Sequence, residues 1–417
     1  MGAGSVDRFS EVEAQTFVAR TCFKTGPPRA VGIELEWLLN HRDDPVRPIT
    51  PADLDLAQQA ASTLRHSTLS IEPGGQLELS SVPFAGAAEC VIALRADLGP
   101  FRQALHSAGL ALTGIGLDPW RPPHRILDRP RYVAMERHFD RRGSAGRRMM
   151  CSTAAVQVNV DAGVGEPAPG QVDALARWDL LHALLPVLVG AFANSPVRGG
   201  RPTGWLCTRQ QVWEDIDPAR TAPAYRPDEH PARSWSSYAL AAPVMCIPTD
   251  GPDWSAPVGL TFHDWIRTGT PRPPTEADLA YHLTTLFPPV RARGHLELRV
   301  IDAQRTDSDW VAAFAFVTAL VDDPVAADRA REALCPVSGP DWVRTAARTG
   351  MSDPVLVKAA RGCFEAALEA LAGSPEAGLR EELTAFAARY PDRARCPADD
   401  TLVDLLGSSG RPPEEAA

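Results

Sequence analysis

The segment VGIELEW of residues 31–37 carries two glutamates, Glu34 and Glu36, that are separated by a single leucine. Side chains of a β-strand alternate between its two faces. The pattern therefore predicts a strand with both carboxylates on one face and hydrophobic side chains on the other. Two neighbouring carboxylates suit a site that requires negative charge. They are equally consistent with the solvated face of an edge strand.

The same alternation of polar and hydrophobic residues recurs in three further segments of the chain. The polar faces of these predicted strands consist of Gln76, Glu78 and Ser80 in QLELS, Thr153, Gln157, Asn159 and Asp161 in STAAVQVNVD, and His295, Glu297 and Arg299 in GHLELRV. A single strand of this kind is most simply explained by a sheet that is covered on one side and solvated on the other. Four such strands with acids, amides and an arginine but no lysine instead indicate a face that binds ligands.

Carboxylates that converge from separate strands would raise one another's pKa values unless cations lie between them. Divalent ions such as Mg²⁺ take oxygen ligands and commonly bridge the phosphates of a nucleotide. Arginine side chains suit phosphate or carboxylate groups, because the guanidinium fork matches both. The combination predicts Mg²⁺–nucleotide chemistry. The sequence contains neither a GxxxxGKS/T loop nor a convincing GxGxxG motif after a strand, so it indicates neither a P-loop nor a Rossmann fold.

The composition bounds the class of protein. Of the 417 residues, 44% are hydrophobic and 23% are charged, which is typical of a globular chain. The formal net charge of -10 argues against a general nucleic-acid or membrane-surface binder, because such partners are polyanionic. The sequence has no apolar run of about 18 residues and begins with no basic and apolar leader, so we expect a cytoplasmic protein.

The eight cysteines are scattered along the chain without a CxxC pair. They therefore predict neither a metal-binding knuckle nor a dense disulfide framework. We expect reduced and mostly buried thiols. A nucleophilic cysteine stays an alternative that no local pattern supports.

The remaining patterns predict a chain of mixed helices and strands. Helices are predicted at residues 8–22, 51–65, 85–108 and 172–193 and in most of the chain after residue 308. Pro73-Gly74-Gly75 predicts a tight turn between two strands, and hence a hairpin. Residues 195–275 are rich in proline, tryptophan and loop signals. We expect one catalytic domain over residues 1–405 and a disordered tail over residues 406–417.

Residues 121–148 contain nine arginines and three acidic residues in an otherwise acidic chain. The segment ends in a turn with glycine and serine, so we interpret it as a cationic loop. It could cover a nucleotide or an anionic substrate, or it could be an ordinary solvated loop. The sequence does not indicate which arginine would contact a ligand.

Several motifs, and their order along residues 28–305, carry a resemblance to a known family. They are GIELEW, EPGGQLELSS, MMCSTAAVQVNVD, the ANSP of residues 193–196, LCTRQQVWEDIDPAR and TTLFPPVRARGHLELRVID. Together they resemble the carboxylate–amine ligases of the plant and bacterial glutamate–cysteine ligase family, and within it the actinobacterial branch that supplies ergothioneine biosynthesis. The resemblance implies an α+β fold similar to that of glutamine synthetase. In this fold a curved, mainly antiparallel sheet packed with helices forms a funnel, and here a helical C-terminal part would follow from about residue 308.

The resemblance also implies roles for individual side chains. Two or three Mg²⁺ ions would be held by Glu34, Glu36, Glu72, Glu78 and Glu297. The co-substrate ATP would be contacted by Gln157, Glu297 and Glu36. The catalytic residues, which contact the transferred phosphoryl group or the glutamate, would be Asn159, Arg209 and Arg299. The amino-acid substrates would be bound by Arg209, Trp213, Arg220 and Tyr238.

The implied reaction uses ATP to join the γ-carboxylate of L-glutamate to the amine of L-cysteine through γ-glutamyl phosphate. It needs no protein nucleophile, in agreement with the absence of a catalytic-triad pattern, and it implies no nucleic-acid, membrane or obligatory protein partner. Two alternatives keep the fold: a γ-glutamyl ligase for another amine, and a non-catalytic relative. A metal-dependent hydrolase is disfavoured, because no HExxH or clustered His/Asp motif accompanies the acids.

Overall fold

The structure, a computed structural model, describes residues 9–24, 30–163, 173–372 and 376–407. The strands of this part of the chain are β1 (Val31–His41), β2 (Ser67–Ile71), β3 (Leu77–Ser81), β4 (Leu110–Thr113), β5 (Ala155–Val160), β6 (Val197–Arg198), β7 (Arg201–Pro202), β8 (Val290–Ala292) and β9 (Leu296–Asp302). All but β6 and β7 form one antiparallel sheet in the order β2-β3-β1-β5-β9-β8, in which β4 pairs with the second half of β1. Among the described residues the sheet is open, with β2 and β8 at its edges.

Helices surround this sheet and make up the C-terminal part. The helices before β8 are α1 (Glu11–Cys22), α2 (Pro51–Ala60), α3 (Ala87–Ser107), α4 (Pro130–Asp140), α5 (Ala145–Ser152), α6 (Ala174–Ala183), α7 (Leu185–Ala191), α8 (Thr208–Ile216), α9 (Pro218–Thr221), α10 (Pro231–Ala241), α11 (Phe262–Thr268) and α12 (Glu276–Leu283). The helices after β9 are α13 (Asp307–Asp322), α14 (Pro324–Leu334), α15 (Pro340–Thr349), α16 (Pro354–Ala372), α17 (Arg380–Arg389) and α18 (Pro397–Gly407).

The register of the sheet brings the polar residues of different strands side by side. The directly opposite pairs are Glu36 and Glu78 between β1 and β3, Glu34 and Gln157 between β1 and β5, and Asn159 and Glu297 between β5 and β9. Opposite residues on one face of an antiparallel pair lie within about 5.5 Å of each other at their Cβ atoms. The four predicted polar faces therefore form one continuous surface.

The hydrophobic side chains of the same strands point to the opposite face and into the core. Ile33, Leu79, Val158 and Leu298 are completely buried there. Helices α3 and α13 pack against strands of the sheet, and every residue of α13 from Asp309 to Val321 is buried. Covering one face of the sheet in this way fixes which residues are left on the other face.

Most predicted elements are confirmed. The predicted hairpin around Pro73-Gly74-Gly75 is formed by β2 and β3, and Gly75 has a positive φ of 88°, which glycine adopts without steric cost. The predicted helices at 51–65 and 85–108 correspond to α2 and α3. The chain after residue 308 is helical, as predicted.

The interpretation of residues 121–148 as a loop is wrong over half of its length. Helix α4 begins at Pro130, in the first turn of a helix, where a missing N–H costs nothing. Helix α5 begins at Ala145, inside the same segment. Several of its arginines pair with the few acids nearby, as in the contact of Arg125 with Glu136 at 2.9 Å. The high arginine count thus concealed a helical pattern, and only some of these arginines are paired with acids.

The single helix predicted at 172–193 is also corrected, because the structure has two helices, α6 and α7, bent by 43° relative to each other. Pro186 lies in the first turn of α7 and cannot continue the preceding helix. Residues 195–275, which carry loop signals, contain the four helices α8, α9, α10 and α11. Residues 164–172, which include the predicted start of the long helix, lie outside the described residues.

Three further expectations concern the ends and the surface. Of the predicted tail at residues 406–417, the first two residues belong to α18, and residues 408–417 lie outside the described residues. All eight cysteines are free thiols, and among them only Cys335 is exposed. Within the described residues, no single helix is long and apolar enough to cross a membrane, although two bent helix pairs satisfy the criteria of length and composition.

Candidate active site

A cavity of about 250 Å³ lies on the polar face of the sheet. Helices α4, α5 and α8 and the segment before β8 supply the rest of its wall. Its acidic residues are Glu34, Glu36, Glu72 and Glu78. Its basic residues are Arg131, Arg209, Arg291, Arg293 and Arg299. The cavity thus brings together charged groups from the whole length of residues 34–299.

Local geometry explains how the four glutamates reach the cavity. Glu34 and Glu36 project from the central strand, and Glu78 projects from the neighbouring β3. Glu72 begins the turn of the hairpin, where its backbone N–H donates to the carbonyl of Gln76 at 2.8 Å and its carbonyl accepts from the N–H of Gly75 at 2.9 Å. This turn holds the side chain of Glu72 toward the cavity.

The pKa values of these glutamates are raised, as expected, but burial is a larger cause than the neighbouring carboxylates. Burial raises the pKa of Glu36 to about 7, and the charge of Glu72 adds to the effect. Burial, together with the charges of Glu34 and Glu72, raises the pKa of Glu78 well above its ordinary value. Burial likewise raises the pKa values of Glu34 and Glu72. The protein alone does not compensate four ionised carboxylates here.

Gln157 connects two of these glutamates to an arginine. Its Nε2 donates to Oε1 of Glu36 at 2.6 Å and to Oε2 of Glu78 at 3.4 Å. Its Oε1 accepts a hydrogen bond from Nη1 of Arg299. The second oxygen of Glu36 accepts from the backbone N–H of Ala155 at 2.9 Å. The amide therefore fixes the positions of charged groups that would otherwise repel or rearrange.

Glu297 differs from the other glutamates, because it is completely buried beside the cavity and does not line it. Its carboxylate forms a two-point ion pair with Arg291 and lies 3.2 Å from Nη1 of Arg299 and 3.5 Å from Nη1 of Arg293. Burial by itself would raise its pKa, but the charges of Arg291 and Arg299 outweigh burial and hold the pKa far below its ordinary value. The predicted contacts of Glu297 with metal and with nucleotide stay predictions. They would require the three arginines to give up their ion pairs with its carboxylate.

Arg209 and Trp213 both line the cavity, which is where residues predicted to bind the substrates are expected to lie. They lie one turn apart on α8, and the guanidinium of Arg209 is 4.5 Å from the centre of the Trp213 ring. Nη2 of Arg209 donates to the carbonyl of Arg299 at 2.8 Å, and Nε1 of Trp213 donates to the carbonyl of Phe287 at 3.2 Å. The stacking holds the guanidinium plane in a fixed orientation.

The three residues that the resemblance marks as catalytic share a property. Each keeps a buried polar atom without a hydrogen-bond partner among the described residues: Nε of Arg209, Nε of Arg299 and Oδ1 of Asn159. Nδ2 of Asn159 donates to Oε1 of Glu34 at 3.3 Å, which places this side chain beside the acidic cluster. Buried polar atoms without a partner are rare in folded proteins, and a bound ligand is one explanation for them.

Arg220 and Tyr238, which the resemblance marks as substrate-binding, do not line this cavity, and their predicted role stays a prediction. The guanidinium of Arg220 is completely buried, pairs with Asp217 at 3.2 Å and donates to the carbonyls of Thr285 and Pro243. Tyr238 stacks on Trp235 with ring centres 5.5 Å apart. Arg220 thus cross-links loops in the interior. A motif in one sequence cannot distinguish such an arginine from one that binds substrate.

Sequence reasoning missed several cavity residues. Arg291 and Arg293 alternate in VRARG, so a period-two pattern at this edge strand could have identified them. Arg131 lines the cavity, unlike the other arginines of residues 121–148. It donates to Oγ1 and the carbonyl of Thr284 at 2.7 and 2.9 Å. No pattern in the sequence separates it from its neighbours. The uncharged wall was also missed, and it comprises Tyr132, Met135, Met149, Met150 and Phe287.

The residues of the cavity fit divalent cations by their chemistry. Among the described residues, no three acidic, histidine or cysteine side chains are already arranged as a metal-binding group. The cavity nevertheless offers carboxylate oxygens from four glutamates whose pKa values are raised, chiefly by burial. Oxygen donors with excess negative charge are the ligands that Mg²⁺ prefers.

Comparison with known sequences identifies relatives that match over most of the chain or over about half of it. Glutamate–cysteine ligase EgtA of Mycolicibacterium smegmatis is 41% identical over 406 residues, which cover 95% of this chain and 92% of the relative. The EgtA of Mycobacterium tuberculosis strain H37Rv is 40% identical over 398 residues, with 93% and 88% covered. The chloroplastic glutamate–cysteine ligase of Arabidopsis thaliana is 32% identical over 243 residues, with 56% and 45% covered.

Comparison with solved structures addresses the fold. The structure of glutamate–cysteine ligase from Francisella tularensis in complex with AMP matches with a TM-score of 0.55 at 12% identity, and the match covers 93% of this chain and 86% of that chain. The shared fold confirms the predicted α+β class. The model of glutamate–cysteine ligase family 2 matches residues 30–404, nearly the whole of the described chain. The resemblance seen in the sequence motifs is confirmed, and the chain belongs to glutamate–cysteine ligase family 2.

Proposed function

We propose that the chain is an ATP-dependent glutamate–cysteine ligase. An oxygen of the γ-carboxylate of L-glutamate attacks the γ-phosphorus of ATP, and the bond from that phosphorus to the bridging oxygen breaks, which gives γ-glutamyl phosphate and ADP. The amine of L-cysteine then attacks the acyl carbon. The carbon–oxygen bond to phosphate breaks and the amine loses a proton, which gives γ-glutamylcysteine and phosphate.

One observation carries this proposal: Arg209 and Arg299, each with a buried Nε that lacks a partner among the described residues, line a cavity with four glutamates, and Asn159 lies beside one of them, Glu34. Ligation of this kind transfers a phosphoryl group between oxygen atoms, so it requires cationic and hydrogen-bonding groups around an anion more than it requires a protein nucleophile. The names of the relatives that match over nearly their full length support the same reaction.

The glutamates of the cavity are the proposed metal ligands. Glu34, Glu36, Glu72 and Glu78 would hold two or three Mg²⁺ ions, and Gln157 would keep Glu36 and Glu78 in place. When bound, the ions would neutralise charge on the triphosphate and on the transferred phosphoryl group. The residues themselves supply a fixed array of oxygen donors on a rigid sheet, which reduces the reorganisation that the reaction requires.

The arginines are the proposed binding groups for substrate anions. Arg209 is held by its stacking on Trp213 and by its bond to the carbonyl of Arg299. Its unpartnered Nε leaves a donor for a carboxylate or for the acyl phosphate. Arg299 offers its own Nε in the same way. Holding the two reacting groups in one orientation supplies a large part of the rate enhancement.

The acceptor amine is the least constrained part of the proposal. Cysteine and 2-aminobutyrate have the same charges and nearly the same shape, so charged groups of the cavity cannot tell them apart. Selection would have to come from the uncharged wall around Met135, Met149 and Phe287. A γ-glutamyl ligase for another amine is therefore the second candidate. We further propose that the enzyme acts in the cytoplasm and that its product supplies ergothioneine biosynthesis.

The test is the release of ADP and the formation of a γ-glutamyl product by the purified chain. We expect release that depends on L-glutamate and Mg²⁺ and that is fastest with L-cysteine as acceptor. Serine, alanine and 2-aminobutyrate serve as matched acceptors. Equal rates with 2-aminobutyrate and cysteine would remove the cysteine specificity but keep the ligase. No glutamate-dependent ADP release with any acceptor would overturn the ligase and favour a non-catalytic relative.

A further inference from the structure

The ANSP motif of residues 193–196 does not line the cavity, although it belongs to the motifs that carry the family resemblance. Asn194 and Ser195 are completely buried behind the sheet. The backbone N–H of Asn194 donates to Oδ2 of Asp302 at 2.8 Å, and the hydroxyl of Ser195 donates to the same oxygen at 2.7 Å. The motif therefore holds the carboxylate of Asp302, the last residue of β9.

The other oxygen of Asp302 faces helix α8. Oδ1 accepts from the thiol of Cys207 at 3.4 Å and lies 4.0 Å from Nη1 of Arg209. Ser195 provides a second link, because its Oγ accepts from the backbone N–H of Arg209 at 3.1 Å. Arg209 is thus linked to the carboxylate of Asp302 in two ways. Its side chain faces the carboxylate directly, and its backbone N–H reaches it through the hydroxyl of Ser195.

The first turn of α8 is held to the ANSP motif by backbone contacts as well. The N–H of Ser195 donates to the carbonyl of Leu206 at 3.0 Å, and the N–H of Thr208 donates to the carbonyl of Ser195 at 3.1 Å. These bonds fix where Arg209 leaves the backbone. The guanidinium then lies between the ring of Trp213, the carbonyl of Arg299 and the carboxylate of Asp302.

The electrostatic balance favours this orientation. Asp302 is completely buried and Arg209 is 4% exposed. Burial raises the pKa of Asp302, and the charge of Arg209 opposes that rise. A buried charge pair of this kind is costly to separate. The separation of 4.0 Å is too long for a strong hydrogen bond, so Nη1 and Nε of Arg209 keep hydrogens for a ligand.

We propose that Asp302 is a positioning residue that, together with Ser195, holds the guanidinium of Arg209 in the orientation that binds the anionic group of a substrate. The inference rests on the proposed function only in taking Arg209 as a group that binds a substrate anion. Asp302 itself is out of reach of the cavity and acts through Arg209. In this proposal the ANSP motif supplies two of the hydrogen-bond donors that hold the carboxylate of Asp302 in place.

The test compares Asp302→Asn with Asp97→Asn. Asp97 is a matched control, because it is 1% exposed and accepts three hydrogen bonds, from the N–H groups of Arg65 and His66 and the hydroxyl of Ser67. We expect Asp302→Asn to raise KM for L-glutamate or for ATP, and to lower the corresponding kcat/KM by about 10-fold to 100-fold, as displacements of about 1 Å do. Asp97→Asn should leave both KM values within about 2-fold of those of the unchanged chain.

A double-variant cycle distinguishes positioning from general stability. In an Arg209→Lys background, Asp302→Asn should cost less than about 2-fold in kcat/KM, because its effect passes through the missing guanidinium. Ser195→Ala, which removes one hydroxyl, should shift the same KM in the same direction by a smaller factor. Thermal unfolding of each variant shows whether it is folded during the assay.

Two results would overturn the proposal. One is an Asp302→Asn variant with unchanged KM values. The other is a loss of kcat/KM in Asp302→Asn that is just as large in the Arg209→Lys background, or that Asp97→Asn reproduces. Either outcome would make Asp302 a purely structural residue. Failure of the proposed function can be recognised separately. In that case the unchanged chain releases no ADP in response to glutamate. In that event, calorimetric titration of L-glutamate into the chain and its Asp302→Asn variant tests the positioning without turnover.

Discussion

Two groups of glutamates share one face of the sheet but lie in opposite electrostatic surroundings. Glu36 and Glu78, on β1 and β3, have raised pKa values, because burial and neighbouring carboxylates disfavour their charge. Glu297, on β9, has a lowered pKa, because Arg291 and Arg299 stabilise its charge more than burial destabilises it. The residue type and the strand pattern are the same in both places.

The difference shows which part of the site is complete in the protein alone. At Glu297 the chain supplies both signs of charge, so this end of the site is a preformed ion-pair network. At Glu36 the charges of Arg209 and Arg299 do not outweigh burial and the neighbouring carboxylates, and Gln157 offers Glu36 and Glu78 only an uncharged amide. The missing positive charge must come from bound cations or protons. Glu297 and its arginines should therefore govern stability, and Glu36 and Glu78 should govern ligand binding and catalysis.

The largest effect should come from Glu297→Gln. The amide cannot neutralise Arg291 and Arg299, which would remain buried with uncompensated charge. Removing one partner of a buried ion pair costs about 3–5 kcal/mol, and we expect the free energy of unfolding to fall by that amount. Urea denaturation followed by circular dichroism measures it.

The matched variant is Glu78→Gln in the presence of a chelator. Burial and the neighbouring carboxylates disfavour the ionised form of Glu78. The neutral amide should therefore leave the free energy of unfolding unchanged or raise it. A comparable loss of stability in both variants would contradict the division of the glutamates into two groups.

The second largest effect should be the loss of activity in Glu36→Gln. One carboxylate of the proposed metal site disappears while the side chain keeps its shape, so we expect kcat for ADP release to fall by about 100-fold or more. Glu89→Gln, on the exposed side of α3, is the control for the loss of one carboxylate and should have normal activity. Full activity of Glu36→Gln would exclude Glu36 from the metal site.

The acidic face was predictable from sequence because it depends on a local rule. Alternation places Glu34, Glu36, Glu78 and Glu297 on polar faces, and the structure brings these faces together. The sequence could not show that Glu297 is neutralised from β8, because the pairing of β8 with β9 is a tertiary contact. The same limit applies to Arg220, whose motif was recognised and whose buried partners were not visible.

The nine arginines of residues 121–148 illustrate the limit most clearly. Their number indicated a cationic loop, whereas the structure forms two helices and brings Arg131 to the cavity. The choice depends on how α4 lies against the segment before β8, where Thr284 accepts from Arg131. Helical periodicity within residues 130–140 was available in the sequence, but the packing partner was not.

Arg131→Met should have an intermediate effect. Arg131 lines the cavity, as do the arginines that Glu297 holds, but unlike them it has no ion pair with a carboxylate among the described residues. We expect kcat/KM for ATP or glutamate to fall by about 10-fold, because one charged donor to a substrate anion is lost. Arg137→Met is the control on the same helix, since Arg137 is exposed and pairs with the exposed Asp253. Equal activity of both variants would remove Arg131 from the site.

The smallest effect should be the pH dependence of stability in the metal-free chain. The pKa of Glu36 is raised from its ordinary value of 4.5 to about 7, so between these values the folded state binds a proton that the unfolded state releases. Stability is therefore lost as pH rises from about 4.5 through about 7, and the last part of this loss falls above pH 6.5. From pH 6.5 to pH 8 this residue should remove about 1 kcal/mol from the free energy of unfolding.

Other groups also titrate near this window, so the measurement is the difference between the unchanged chain and Glu36→Gln. Buried histidines such as His182, whose pKa is lowered to about 4 by burial, contribute equally to both chains and cancel. Urea denaturation at pH 6.5 and pH 8 with a chelator should show a steeper fall in the unchanged chain. Saturating Mg²⁺ should remove the excess fall, because cations favour the ionised carboxylates that high pH creates. Equal slopes in the two chelated proteins would mean that Glu36 is already compensated in the protein alone, as Glu297 is.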